Sequence, residues 1–285
     1  MRLHVRAWPA QGHELATIVL LHGMGGTANL WRPIAAGLED RFRVLALDQR
    51  GHGKSLGKSP GMSPGNSPED ASARPEDFGR DIAETLADLR VGRAVIVGHS
   101  MGVRSACALY HVAPELVTGM VLIDIGFSGP AGGGMGKALE TFFAHVPARF
   151  ETRAEARSFA ESKTPDPSMA QYLMAALEPH PDGGFRFPFD QPTLLKTLEG
   201  AAASDVSSYL AKAGENGIPV LILRGAESGV WKRDDFLKEQ KRFAVYPSIV
   251  FEEVPGAGHG LPFEVREVFV KRLRAFAEAA VGRTA

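Results

Sequence analysis

Cysteine is almost missing from this 285-residue chain: Cys107 stands alone, which excludes an intrachain disulfide and a cysteine-built zinc site. An excess of one charge is missing too. Thirty-two basic residues against thirty-three acidic ones leave a net charge of −1, too weak a field to hold nucleic acid or anionic lipid. No apolar run approaches the roughly 20 residues of a membrane span, and the first ten residues contain two arginines but no stretch of signal-peptide length. The nine histidines form no HExxH pair and no cluster with carboxylates at ligand spacing. These absences point to a cytoplasmic protein acting on a small molecule, with no metal or other cofactor and no nucleic acid or membrane as partner.

What is present is ordinary globular material. An apolar fraction of 44% with 23% charged residues excludes disorder for the chain as a whole. The length suits one large domain or a core with an insertion. Short β-branched runs at 17–21, 42–47, 94–97, 119–125, 219–223 and 249–254 read as buried strands. Segments with apolar residues at helical spacing fall between or after them, at 29–38, 78–89, 104–111 and 262–280. That alternation predicts an α/β fold with a mainly parallel sheet flanked by helices.

Two stretches break the pattern. Residues 56–75 repeat SPGM, SPGN and SPED, a composition that buries nothing and reads as a surface loop. Its prolines Pro60, Pro64 and Pro68 are four apart, which does not match a PxxP ligand. From 127 to 214 no long strand pattern appears, and eight of the sixteen phenylalanines lie between Phe127 and Phe189. This stretch reads as a helical cap inserted into a core formed by 1–126 and 215–285, with Gly132, Gly133 and Gly134 at one joint.

Three motifs carry chemistry. Directly after the run 94–97 stands Gly98-His99-Ser100-Met101-Gly102, a G-x-S-x-G elbow in a strand-turn-helix setting, with Ser100 as nucleophile. After the run 17–21 comes His22-Gly23-Met24-Gly25-Gly26, a turn whose Met24 N–H, with that of Met101, suits an oxyanion hole. After the last strand, Gly256-Ala257-Gly258-His259-Gly260 offers His259 as general base on a loop free to reach the elbow. His22 and His99 are poorer candidates because their turn positions direct them elsewhere. Gly53-Lys54-Ser55 ends like a phosphate loop, but Asp48 occupies the place of that motif's first glycine.

With LHGMGG at 21–26, DQRGHGKS at 48–55, GHSMG at 98–102 and GAGHG at 256–260, the chain resembles the α/β-hydrolase superfamily over nearly its whole length. The resemblance implies the α/β-hydrolase fold and a Ser-His-acid triad, and it assigns Asp48, Arg50 and Ser55 to a structural turn. It departs from the common pattern at one place. Where similar hydrolases often carry an aspartate, in a pattern like RGxxSD, this chain has Gly229. Asp124, at the end of the strand that follows the nucleophile's helix, is the favoured acid, as in a subgroup of small esterases that the chain resembles; Glu227 is the second candidate. The expected activity is hydrolysis of small to medium carboxylic esters or thioesters through an acyl-enzyme. Carbon–carbon bond hydrolases, perhydrolases and a non-catalytic ligand receptor remain as alternatives. Aspartate-dependent dehalogenases and epoxide hydrolases do not, because the elbow carries serine.

Overall fold

The computed structural model describes residues 1–56, 73–127, 134–164 and 166–282. Most of the Ser-Pro repeat, and Gly132 and Gly133 of the expected joint, lie outside them. Nine strands are formed among the described residues: β1 His4–Trp8, β2 Ala16–Leu21, β3 Phe42–Asp48, β4 Ala94–His99, β5 Val117–Ile123, β6 Glu178–Pro179, β7 Phe185–Arg186, β8 Val220–Gly225 and β9 Ile249–Val254. Seven of them make one sheet in the order β1-β3-β2-β4-β5-β8-β9. All neighbours pair parallel except β1, which runs antiparallel to β3 at the edge.

The expected α/β-hydrolase architecture is therefore the one observed, and the strand sequences explain it. Side chains alternate across a strand, so a parallel sheet covered on both sides needs apolar residues at every position. In β2, Val19 and Leu21 enter one apolar layer while Ile18 and Leu20 enter the other. Leu45 and Leu47 of β3 part from Val44 and Ala46 in the same way. Each such side chain, fully buried, contributes about 1.5–3 kcal/mol.

Eleven helices are formed among the described residues: α1 Arg32–Ala35, α2 Pro75–Asp88, α3 Met101–Val112, α4 Gly134–His145, α5 Arg153–Lys163, α6 Pro167–Ala176, α7 Gln191–Ala202, α8 Ser207–Glu215, α9 Arg233–Phe243, α10 Leu261–Glu264 and α11 Arg266–Gly282. Helices α2, α3, α8 and α9 supply residues to the first layer, and α1 and α11 to the second. The expected helix over 29–38 is instead a 3-10 turn followed by the single turn of α1. No helix is long and apolar enough to cross a membrane, among the described residues.

Helices α4 to α7 and the β6–β7 hairpin belong to a third apolar cluster, which is centred on Phe142, Phe143, Tyr172 and Leu173 and takes in Met24, Met101 and Val230 from the core loops. Local chemistry starts three of these helices. Thr152, Asp166 and Asp190 are N-caps whose side chains accept backbone N–H bonds from Glu155, Ser168 and Thr193. The hairpin turns at Gly183 and Gly184, both with positive φ, and a Cβ on Gly184 would sit 2.3 Å from the Phe150 carbonyl oxygen. Helix α8 packs differently: its Leu210 and Ala213, with Val206 and Phe127, lie in the first core layer.

Candidate active site

The elbow joins β4 to α3 with Ser100 at φ 52° and ψ −121°, a conformation that side-chain-bearing residues rarely adopt. The flanking glycines have steric causes. A Cβ on Gly98 would lie 2.3 Å from the Gly102 oxygen, and one on Gly102 would lie 2.4 Å from the Leu21 oxygen. Ser100 N–H donates to the Ile123 carbonyl at 2.9 Å, tying the elbow to the neighbouring strand end. The serine stays 8% exposed on the wall of a cavity of about 470 Å³ that is also lined by Met24, Met101, Leu139, Met169 and Val230.

At the same sheet edge the chain leaves β5 at Asp124, which is fully buried and also at positive φ. His259 Nδ1 stands 2.8 Å from Asp124 Oδ2. Two further donors complete the carboxylate: Gly225 N–H to Oδ1 at 3.0 Å and the Ser228 hydroxyl to Oδ2 at 2.5 Å. Because the carboxylate accepts, Nδ1 of His259 carries its proton, and Nε2 is left as the basic nitrogen. Nε2 is buried with no hydrogen-bond partner among the described residues. The loop carrying His259 is braced by Glu264, whose carboxylate accepts from the N–H groups of Gly258 and Gly260. Glu227 is exposed and only its backbone N–H is engaged, to the Ala257 carbonyl.

The turn after β2 lies against the elbow. A Cβ on Gly23 would come within 2.9 Å of Ser100 Cβ, so the turn reaches Ser100 only because Gly23 has none. Met24 and Met101 thus share one cavity wall with Ser100. The remaining motif holds the frame. Asp48 accepts from Ala28 and Lys54 N–H, Ser55 donates to the Asp48 carbonyl, and Arg50 Nε pairs with buried Asp81 at 2.6 Å. Arg186 pairs with Glu178 on the hairpin. Phe127 packs on Trp231 and Phe243, while Phe142 and Phe143 are fully buried among other phenylalanines.

Three buried histidines surround this site. Gln49 N–H donates to His22 Nε2 at 3.0 Å, so His22 Nδ1–H donates to the Gly23 carbonyl at 2.8 Å. Gly25 N–H donates to His52 Nε2 at 3.0 Å, and His99 Nε2–H donates to the His259 carbonyl at 2.7 Å. Burial first, and neighbouring imidazoles for the latter two, lower His22 to about 4 and His52 and His99 to about 3. The unfolded chain protonates these histidines below about pH 6.5 while the folded chain does not. Stability is therefore fully present above that pH and is lost as pH falls toward 4, at about 1.4 kcal/mol per pH unit for each histidine. Three together amount to about 4 kcal/mol per unit, a large share of a typical domain's stability. The expected outcome is a steep fall of the thermal midpoint between pH 6.5 and 5, measured by circular dichroism; a flat profile there would contradict it.

Residues 18–272 match the alpha/beta hydrolase family, and the chain belongs to it. It is a hydrolase. The 2-(acetamidomethylene)succinate hydrolase of Mesorhizobium japonicum is 28% identical over 267 residues, which are 92% of this chain and 88% of that protein. The esterase YbfF of Escherichia coli K12 is 26% identical over 288 residues, 97% and 99% of the two chains. Among solved structures, that of E-2-(acetamidomethylene)succinate hydrolase superposes with a TM-score of 0.74 at 26% identity, covering 97% of this chain and 95% of that one.

Sequence reasoning passed over Ser228, Glu264 and Tyr172, whose hydroxyl donates to the Gly23 carbonyl at 3.1 Å. Ser228 stands at the serine of the RGxxSD pattern, while Glu264 and Tyr172 sit in no motif. The one available hint was Gly229, whose lack of a carboxylate directs attention to its neighbours.

Proposed function

We propose that the protein is a serine esterase cleaving carboxylic esters or thioesters of small to medium acyl groups. The observation that carries this reading is the buried relay in which Asp124 fixes the tautomer of His259 and leaves Nε2 unengaged, at the sheet edge where Ser100 lines the cavity. Ser100 Oγ attacks the acyl carbon as His259 Nε2 takes its proton, and the N–H groups of Met24 and Met101 receive the oxyanion. His259 then returns the proton to the leaving alcohol or thiol, and the carbon–oxygen or carbon–sulfur bond breaks. Water enters, loses a proton to the same nitrogen and attacks the acyl-enzyme; the tetrahedral adduct collapses to free acid as His259 Nε2 returns that proton to Ser100 Oγ. Ser228 and Gly225 stabilise the Asp124 carboxylate that faces the imidazolium as it forms.

The helical segment within 127–214 is proposed as the cap that shapes the acyl pocket, through Leu139, Met169 and Leu195. The test is labelling by a fluorophosphonate probe, with the modified peptide identified by mass spectrometry, followed by p-nitrophenyl esters of two to twelve acyl carbons. Labelling at Ser100 with turnover of the shorter esters is expected. An unlabelled, folded protein would instead favour a ligand receptor. Turnover of amides or diketones in preference to esters would place the protein with the amide or carbon–carbon hydrolases.

A further inference from the structure

We propose that Tyr172 is a positioning residue for the oxyanion site, acting through the peptide unit that joins Gly23 to Met24. This rests on the reading of Met24 N–H as an oxyanion donor. The carbonyl of that peptide unit belongs to Gly23 and its N–H belongs to Met24, so whatever grips the oxygen also aims the hydrogen.

Three donors grip it. Gly26 N–H lies 3.0 Å away, His22 Nδ1–H 2.8 Å and the Tyr172 hydroxyl 3.1 Å. Closing the turn needs only the first. The His22 bond is itself the end of a chain, since Gln49 N–H donates to its other ring nitrogen. Donation to a peptide oxygen draws electron density from the nitrogen and makes its N–H a stronger donor, an effect that accumulates along connected hydrogen bonds. The planar peptide transmits orientation as well, because it turns as one body.

The third donor arrives from 149 residues away in sequence, on helix α6 of the proposed cap. The chain makes room for it at one position: a Cβ on Gly26 would stand 2.0 Å from the Tyr172 hydroxyl oxygen. The ring is buried between His99 and Phe263, and burial raises the phenol's pKa, so the hydroxyl remains a donor throughout the working pH range. A buried hydroxyl requires an acceptor, and the acceptor this one takes is the back of the oxyanion peptide. The cap and the oxyanion site are thereby one connected hydrogen-bonded unit.

The experiment compares wild type and Tyr172→Phe with p-nitrophenyl butyrate and with a boronic acid that mimics the tetrahedral adduct. Removing an oxyanion donor outright costs about 10²- to 10³-fold, so weakening one is expected to lower kcat by about tenfold. KM is expected to stay within about twofold and boronate affinity to fall in step with kcat, because the interaction is made in the transition state. An unchanged kcat, or a loss confined to KM, overturns the proposal. Fluorophosphonate labelling separates the two levels: an unlabelled wild type rejects the serine-hydrolase reading, whereas a labelled Tyr172→Phe with full kcat rejects only the role of Tyr172. Should the phenylalanine variant not fold, 3-fluorotyrosine at position 172 keeps the shape and strengthens the donor. A higher kcat then supports the proposal, and an unchanged one overturns it.

Discussion

Ser100→Ala is expected to lower kcat for p-nitrophenyl butyrate by about 10⁶-fold, leaving only the residual catalysis that an oxyanion site and binding supply. The fold is expected to survive, because the hydroxyl has no structural bond to lose and alanine carries the same Cβ at φ 52°. Ser100→Gly separates activity from stability more sharply. The backbone conformation at Ser100 costs a side-chain-bearing residue about 1–3 kcal/mol, and glycine escapes that strain while losing about 0.5–1 kcal/mol through its freer unfolded chain. The net gain is about 1 kcal/mol, or a thermal midpoint about 2–4 °C higher. An inactive variant that melts above wild type would show that the chain maintains strain at Ser100. Full activity in Ser100→Ala would end the proposed mechanism.

The second large effect is expected from Asp124→Asn, at about 10⁴-fold in kcat, the loss seen where a triad acid of this kind is replaced by its amide. The physical reason lies in the donor count. Both carboxylate oxygens of Asp124 face donors: Gly225 N–H on one side, and the Ser228 hydroxyl with His259 Nδ1–H on the other. An asparagine must turn its NH₂ toward one of these sides. If it faces His259, the imidazole is driven to its other tautomer and Nε2 gains the proton it must be free to receive. If it faces Gly225, two buried donors oppose each other at a cost of about 1–3 kcal/mol. Glu227→Gln is the matched control, because that side chain is exposed and holds none of these partners, and its kcat should equal wild type. The opposite ranking of the two variants in steady-state kinetics would move the acid to Glu227.

The sequence was most readable where a local rule dictates the residue. Buried parallel strands demand unbroken apolar runs, and five of the six expected runs start within a residue of the strands found, those at 94–97 and 219–223 stopping two residues short of the strand's end. For the sixth, the strand is Val117–Ile123, two residues earlier than expected, because the chain leaves the sheet at Asp124 with positive φ. Strand β1 was not expected from the sequence: its five residues HVRAW are nearly all half-buried at the sheet edge, and the short alternation of Val5 and Ala7 with His4 and Arg6 is too brief to mark a strand. The glycines of the elbow were legible as a motif, yet their cause, contact with the oxygens of Leu21 and Gly102, belongs to the assembled sheet. Gly229 marked where an aspartate is lacking but could not reveal that Ser228 beside it reaches Asp124. Tyr172 was hidden most completely, since nothing near it in sequence hints at a carbonyl 149 residues away.

That hydrogen bond has a consequence for engineering. Caps of hydrolases invite exchange, since a foreign helical segment should import a foreign substrate range. Here the segment that lines the pocket with Leu139 and Met169 also delivers Tyr172 to Gly23. A graft chosen only for pocket shape would discard that hydroxyl, and if Tyr172 positions the oxyanion site as proposed, the chimera would bind its new substrate well but turn it over slowly. Transplants that keep a tyrosine at this position, with glycine retained at 26, are the ones in which selectivity and rate can be altered separately.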